Sequence, residues 1–305
     1  MTKTFPELDS KYLIAFNLTH ETLKSGLNNN SKLNPAEYRL LLQIAAAKDS
    51  GLMQSDLSQL LLLPANVISQ SLKTLENLQL IARQVLKDSD QRKKQVFITE
   101  EGKRTIEFID TYMVKDLYEH YPTYSEENKR ILENAIFAGA AINSELSKSF
   151  ESRFSSSLAL SAFELYRKHL ADQLKKDCKC NLHEARVIQK LSEVDEPIRL
   201  SELSEELIMS PVNIGRTVDS LTKKDYVIRL QSEHDKKAIY VALSDEGEFL
   251  SDLVQNSVNT IAEEYLFKKL SVKQCEAILD AGKVILQSLI DKRRSEQLMS
   301  LRPLK

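Results

Sequence analysis

Glycine and proline, the residues that punctuate tight turns, are scarce here: seven of each in 305 residues. Their shortage, beside abundant Leu, Lys, Glu, Ser and Ala, argues against a turn-rich sandwich or barrel and predicts a mainly α fold. No apolar run approaches the ~18 residues that would span a bilayer, so no membrane partner is expected. Residues 1–20 contain Glu7 and Asp9 and lack the ~7-residue apolar core of a secretory leader. Cysteine numbers three, an odd count that suits free thiols in a reducing cytoplasm better than a disulfide framework. Charge of neither sign is in excess. Residues 1–150 hold 18 basic and 19 acidic side chains and the remainder 24 and 25, so any nucleic-acid contact must use a local patch.

What the chain does have is the same pattern twice. Asn34-Pro35-Ala36-Glu37-Tyr38-Arg39 returns as Asn181-Leu182-His183-Glu184-Ala185-Arg186, Ser55-Asp56-Leu57-Ser58 as Ser201-Glu202-Leu203-Ser204, and Thr99-Glu100-Glu101-Gly102 as Ser244-Asp245-Glu246-Gly247. The offsets are 147, 146 and 145, and the one-residue slips fall at 45–54 and 84–90, where turn residues collect. A period this long is a duplicated domain, not a solenoid. It predicts two domains, 1–150 and 151–305, in line with a usual domain size of ~150 residues. The serine-rich stretch 143–158 is the expected junction; with no Gly or Pro in it, helical and flexible links both remain open.

Each copy should begin with a long amphipathic helix, over 7–29 and 155–177. Asn34 and Asn181 then read as N-caps, with Glu37 and Glu184 three residues on to complete a capping box. Short helices start near Ser55 and Ser201, and Ser210-Pro211 supplies a cap and first position for the next one, where the first copy has the weaker Leu63-Pro64. In that next helix Ile68, Leu72 and Leu75, or Ile214, Val218 and Leu221, form one apolar face. Asn66, Gln70 and Lys73, or Val212, Arg216 and Asp219, lie opposite. A buried stripe under short and amide side chains is what a helix needs to enter a DNA major groove. The candidate contacts are therefore Ser55, Ala65, Asn66, Ser69, Gln70 and Lys73 in the first copy, and Ser201, Pro211, Val212, Asn213 and Arg216 in the second.

β-Branched runs follow at 81–86 and 94–98, then at 227–231 and 238–243, and read as hairpins with charged tips. From Arg83 to Lys94 five basic residues face two acidic ones, a net of +3. Arg92, Lys93 and Lys94, with Lys236 and Lys237 in the second hairpin, suit phosphate and minor-groove contact beside a base-reading helix. Thr99 and Ser244 cap further helices at 100–119 and 245–268, and each copy closes with one more, 125–149 and 271–295.

In order and spacing, Asn34-x-x-Glu37-Tyr38-Arg39, Leu57, Val67-Ile68-Ser69-Gln70-Ser71-Leu72-x-x-Leu75-Glu76, Asp90-Gln91-Arg92 and Ile98-Thr99-Glu100-Glu101-Gly102-Lys103 resemble the multiple antibiotic resistance regulator (MarR) family of winged helix-turn-helix transcription regulators. The resemblance covers both copies almost end to end. It implies that Asp90 braces Arg92 in the first wing and that Asp235 has this role in the second, where Lys237 replaces the arginine. It also implies terminal helices that interlock around a twofold axis, here within one chain as in the tandem Sar branch. Such a monomeric pseudo-dimer, or a homodimer of it, would present two reading helices one DNA turn, ~34 Å, apart to an imperfect palindrome of double-stranded DNA. The second copy departs from the pattern with Gly215 for Ser69, Arg216 for Gln70 and Thr222 for Glu76, so the two heads are expected to read different half-sites.

Because some members of the resembled family sense peroxides or zinc, Cys178, Cys180 and His183 are a candidate redox or metal group, although this CxC has no partner motif. A small aromatic effector between head and terminal helices is compatible with the resemblance, and no residue identifies one. No P-loop, GxGxxG or Ser/His/Asp set appears, so neither an enzyme nor a cofactor is expected. The alternative from another class is a tandem winged-helix scaffold of the chromosome-condensation accessory type, which the net acidity suits and the basic hairpin tips do not.

Overall fold

The computed structural model describes residues 8–85, 94–121, 125–231, 235 and 238–300. Its elements run in the order that the repeat predicts. The first copy holds α1 (Ser10–Asn30), α2 (Pro35–Ala46), β1 (Leu52–Met53), α3 (Gln54–Leu61), α4 (Ala65–Asn77), β2 (Ile81–Val85), β3 (Lys94–Ile98), α5 (Glu100–His120), α6 (Glu126–Ala141) and α7 (Ser144–Ser149). The second holds α8 (Ser155–Asp177), α9 (Leu182–Ser192), β4 (Ile198–Arg199), α10 (Leu200–Glu206), α11 (Pro211–Lys223), β5 (Val227–Gln231), β6 (Ile239–Leu243), α12 (Asp245–Tyr265) and α13 (Val272–Ser300). Each copy is therefore a winged helix-turn-helix with long flanking helices, mainly α with a small β wing.

The local signals form as their chemistry requires. Asn34 accepts from the Glu37 amide at 3.0 Å while the Glu37 carboxylate accepts from the Asn34 amide at 2.9 Å, and Asn181 with Glu184 repeats this at 3.0 and 2.8 Å. Ser210 caps α11 by accepting from the Asn213 amide at 3.2 Å, whereas Pro64 before α4 makes no side-chain cap. The hairpins pair antiparallel, Ile81 with Ile98 and Val227 with Leu243. Each also gains a third strand that alternation could not reveal, because β1 and β4 are two residues long: Leu52 pairs with Val96, and Ile198 with Val241.

One expected helix is broken in two. The one expected over 125–149 ends at Ala141 and restarts as α7, because Asn143 leaves the helical region at ψ 63° and its amide donates to the Leu158 carbonyl at 3.4 Å. The junction is thus a short helix followed by a left-handed turn, with Glu151, Ser152 and Phe154 at φ 54°, 62° and 58°.

The compact units do not coincide with the two halves. One comprises residues 18–165 and 269–305, the other residues 1–17 and 166–268. Helix α1 begins in one unit and continues into the other, as does α8, so the copies exchange their ends.

The cause is visible inside each unit. In that of the second copy, Ser10 donates from both its amide and its hydroxyl to Glu193, each at 2.6 Å, and the Leu8 carbonyl accepts from Gln189 at 3.1 Å and Gln255 at 2.7 Å. Leu8, Leu13 and Phe16 are buried there, with the Tyr12 hydroxyl donating to that of Tyr166 at 3.2 Å. In the unit of the first copy, Ser157 stands 147 residues after Ser10 and makes the same clamp on Asp110, 2.8 Å from its amide and 2.7 Å from its hydroxyl, with Tyr38 at 2.6 Å from the same hydroxyl. Burial pushes the Asp110 carboxyl above the usual carboxylate range, against the pull of the Ser157 donors. Helix α13 packs along α6 in this unit.

Candidate nucleic-acid interface

Helices α4 and α11 carry the arrangement that the apolar spacing predicts. Ile68, Leu72 and Leu75 are buried, as are Ile214, Val218 and Leu221. Burying two stripes of this size at ~25 cal/mol per Å² is what fixes each helix on its body. Opposite them Ala65, Asn66, Ser69, Gln70 and Lys73 stand exposed on α4, and Pro211, Val212, Asn213 and Arg216 on α11. Ser55 and Ser201 are exposed in the first turns of α3 and α10. Lys94 is exposed at the start of β3; Asp90, Arg92, Lys93, Lys236 and Lys237 lie outside the described residues.

Two arginines that the sequence reading gave no task set the angle between the helix-turn-helix elements. Arg39 and Arg186 are buried, and each donates from Nη2 to the carbonyl at the end of the helix that follows its own, Arg39 to Leu61 at 2.9 Å and Arg186 to Leu207. A cation there meets the negative end of a helix dipole just before the turn. Burial lowers both guanidinium pKa values, that of Arg186 to about 10, while Glu164 partly offsets the effect at Arg39. After the turn, Leu62 and Ile208 take left-handed φ values of 52°. The sequence signal was present in the Arg39/Arg186 repeat, a charge in the middle of an apolar run.

The far end of each reading helix is tied down equally closely. Gln79 and Asp225 turn the chain at φ 59° and 60°, and their carbonyls accept from the capping hydroxyls of Thr99 at 2.7 Å and Ser244 at 2.5 Å. The following helices approach so closely that a Cβ on Gly102 would meet the Leu80 carbonyl oxygen at 2.3 Å, and one on Gly247 the Tyr226 oxygen at 2.0 Å. These two positions take glycine for that reason.

A repeated arginine also joins wing to helix, in two different registers. Arg83 on β2 pairs with Glu76 in the last turn of α4, at 3.2 Å; Arg229 on β5 pairs with Asp219 in the middle of α11, at 2.5 Å. Asp219 occupies the position of Lys73, and Thr222 that of Glu76, so the carboxylate has moved by one helical turn. In the second copy Asp235 pairs with Arg199 of β4 at 3.4 Å. The second wing is thereby tied to the third strand.

The matches to known families fall on these two bodies. Residues 181–239 match the model described as the MarR family. Residues 34–98 match a second model, described as the B-block binding subunit of TFIIIC. The chain is 31% identical over 91 residues to the HTH-type transcriptional regulator PapX of Escherichia coli, a match that takes in 30% of this chain and 55%, about half, of that regulator's length. Solved structures that resemble it in part include a MarR family transcriptional regulator from Streptomyces coelicolor in complex with DNA, at 21% identity and TM-score 0.43, covering 46% of this chain and 91% of that one. Another is apo MarR from E. coli, at 20% identity and TM-score 0.34, covering 43% and 89%.

Burial governs the cysteine pair. Cys178 and Cys180 are buried, the first with its sulfur 3.7 Å from the Ser257 hydroxyl. Burial raises both thiol pKa values, that of Cys180 to about 12 with help from the Glu184 carboxylate. A peroxide-sensing thiol needs the opposite shift. Among the described residues no group of three or more His, Cys, Asp or Glu could hold a metal ion, so Cys178, Cys180 and His183 do not form the candidate metal group. No described helix is long and apolar enough to cross a membrane.

Proposed function

We propose that the chain is a sequence-specific, double-stranded-DNA-binding transcription regulator. It acts as a single-chain pseudo-dimer, whose copies 1–150 and 151–305 each present one reading head to an imperfect palindrome. The observation that carries this reading is the pair of helices α4 and α11, each docked by a buried stripe and exposing short, amide and cationic side chains. The match of one copy to the MarR model and the partial identity to PapX support it, as does the exchange of ends between the copies. Asn66, Gln70, Asn213 and Arg216 are assigned to base edges; Lys73, Lys94 and the remaining wing cations Arg92, Lys93, Lys236 and Lys237 are assigned to phosphates and the minor groove. The reading places the protein in the cytoplasm and gives it no catalytic step. It allows a small aromatic effector, which would register as a loss of DNA affinity on titration with the compound.

The test is binding to fragments of upstream DNA against scrambled competitor across a salt series. Competitor-resistant binding is expected, with a logarithmic salt slope that flattens by up to ~0.9 for each contact removed when Arg92, Lys93 and Lys94 are neutralised. Weak binding that ignores sequence would overturn the proposal. It would favour a scaffold, a second reading suggested by the exposed Phe249 on α12 and the exposed Phe108–Tyr112 pair on α5, whose ring centroids lie 4.5 Å apart.

A further inference from the structure

Glycine inside a helix is less stable than alanine because it surrenders more backbone freedom on folding, and it persists where something needs the space of the missing Cβ. Gly102 and Gly247 have such neighbours in the carbonyl oxygens described above. Gly215, in the middle of α11, has none. A Cβ built there meets no atom of the described residues within 4 Å, and its φ is not left-handed. Nothing among the described residues calls for glycine at this position.

Its surroundings suggest what does. Val212 lies three residues before it and Asp219 four after, so all three share one strip of the helix. Val212 is 60% exposed and Asp219 is exposed, while Ile214, Thr217, Val218 and Leu221 are buried, so the strip faces outward. The exposed Arg216 flanks it. On α4 the same positions hold Asn66, Ser69 and Lys73. The second head therefore offers a strip that is low and apolar at Val212 and Gly215 where the first is taller and polar, and Arg229 at 2.5 Å pairs with the carboxylate of Asp219 at its end. A polyanion can approach that carboxylate without the repulsion a bare one would exert.

We propose that Gly215 is a specificity-determining position: the missing side chain lets α11 lie closer to base edges in the major groove than α4 does. Val212 then packs on a thymine methyl and Arg216 bonds a guanine through O6 and N7, whereas the first head, through Asn66 and Gln70, reads adenine. The two half-sites differ accordingly. This inference rests on the DNA-reading function proposed above.

The experiment uses the full chain and a duplex that the wild type enriches from a random pool. Gly215→Ala is expected to raise Kd for that duplex at least tenfold, to leave Kd for a scrambled duplex within twofold, and to raise the melting temperature by about 2–4 °C, because alanine is the better helix former. Reselection with the variant should alter one half-site only. Unchanged binding of the enriched duplex, or an equal loss on both duplexes, would overturn the role of Gly215 while leaving the regulator reading in place. If the wild type enriches no duplex at all, both fail together.

Discussion

The exchange of ends depends on two serines, and the clamp at Ser10 can be loosened without touching a reading head. Glu193 accepts from the Ser10 amide and hydroxyl, both at 2.6 Å, and Ser10 is buried, so water cannot replace the carboxylate where it stands. Hydrogen bonds to a charged group contribute about 1.5–3 kcal/mol each. The Glu193 side chain is 30% exposed, which argues for the lower end, about 3 kcal/mol for the pair. Leu8 would keep its bonds from Gln189 and Gln255, so Glu193→Ala should loosen residues 8–17 and not expel them. At about 1.4 kcal/mol per decade, amide exchange in 10–17 should accelerate by roughly two decades, while peptides from α2, in the other unit, keep their protection. Hydrogen exchange read by mass spectrometry resolves the two segments. Unchanged exchange in 10–17, or an equal rise in α2, would refute the assignment of this clamp to the docking of the N-terminal segment.

Other outcomes follow from the same geometry. Gly247→Ala should cost about 1–3 kcal/mol, since the new Cβ meets a backbone oxygen at 2.0 Å and neither side of the contact is a flexible side chain; a denaturant midpoint equal to wild type would contradict it. With Cys178, Cys180 and Cys275 all buried, an aromatic disulfide reagent at pH 8 should find no fast-reacting thiol in the native chain and three after denaturation. Asp110 has a raised carboxyl pKa, so the folded chain holds its proton more tightly than the unfolded one. The stability this confers is complete below the ordinary value of 3.8 and is lost as pH rises through the folded value. The stability difference between wild type and Asp110→Asn should therefore change over that interval and level off above it, and a pH-independent difference would reject the assignment.

What could be read from the sequence was what is local. Asn34 with Glu37, Ser210 with Pro211, and the 3.6-residue stripes of α4 and α11 each act within one or two turns, so spacing alone reveals them. The end exchange could not be read this way. Ser10 and Glu193 are 183 residues apart, and the equivalent Ser157 uses Asp110, at a position the repeat does not relate to Glu193. A sequence divided at its repeat therefore gives two halves, while the packing gives two units with traded ends. The wing braces were hidden for a related reason: the arginines of β2 and β5 keep their register while their carboxylate partner moves from Glu76 to Asp219. The spacing of Cys178 and Cys180 can be seen in sequence and their burial cannot.

The traded ends have a consequence for how the protein is made. Residues 1–17 leave the ribosome well before the rest of their unit, which is not complete until residue 268 has been added. At ~5–20 residues per second the intervening 251 residues take about 13–50 s, during which Leu8, Tyr12, Leu13 and Phe16 have no finished partner surface. The other unit waits as well, since residues 18–165 close only when the segment from 269 arrives. A nascent chain stopped between the copies would hold neither unit whole.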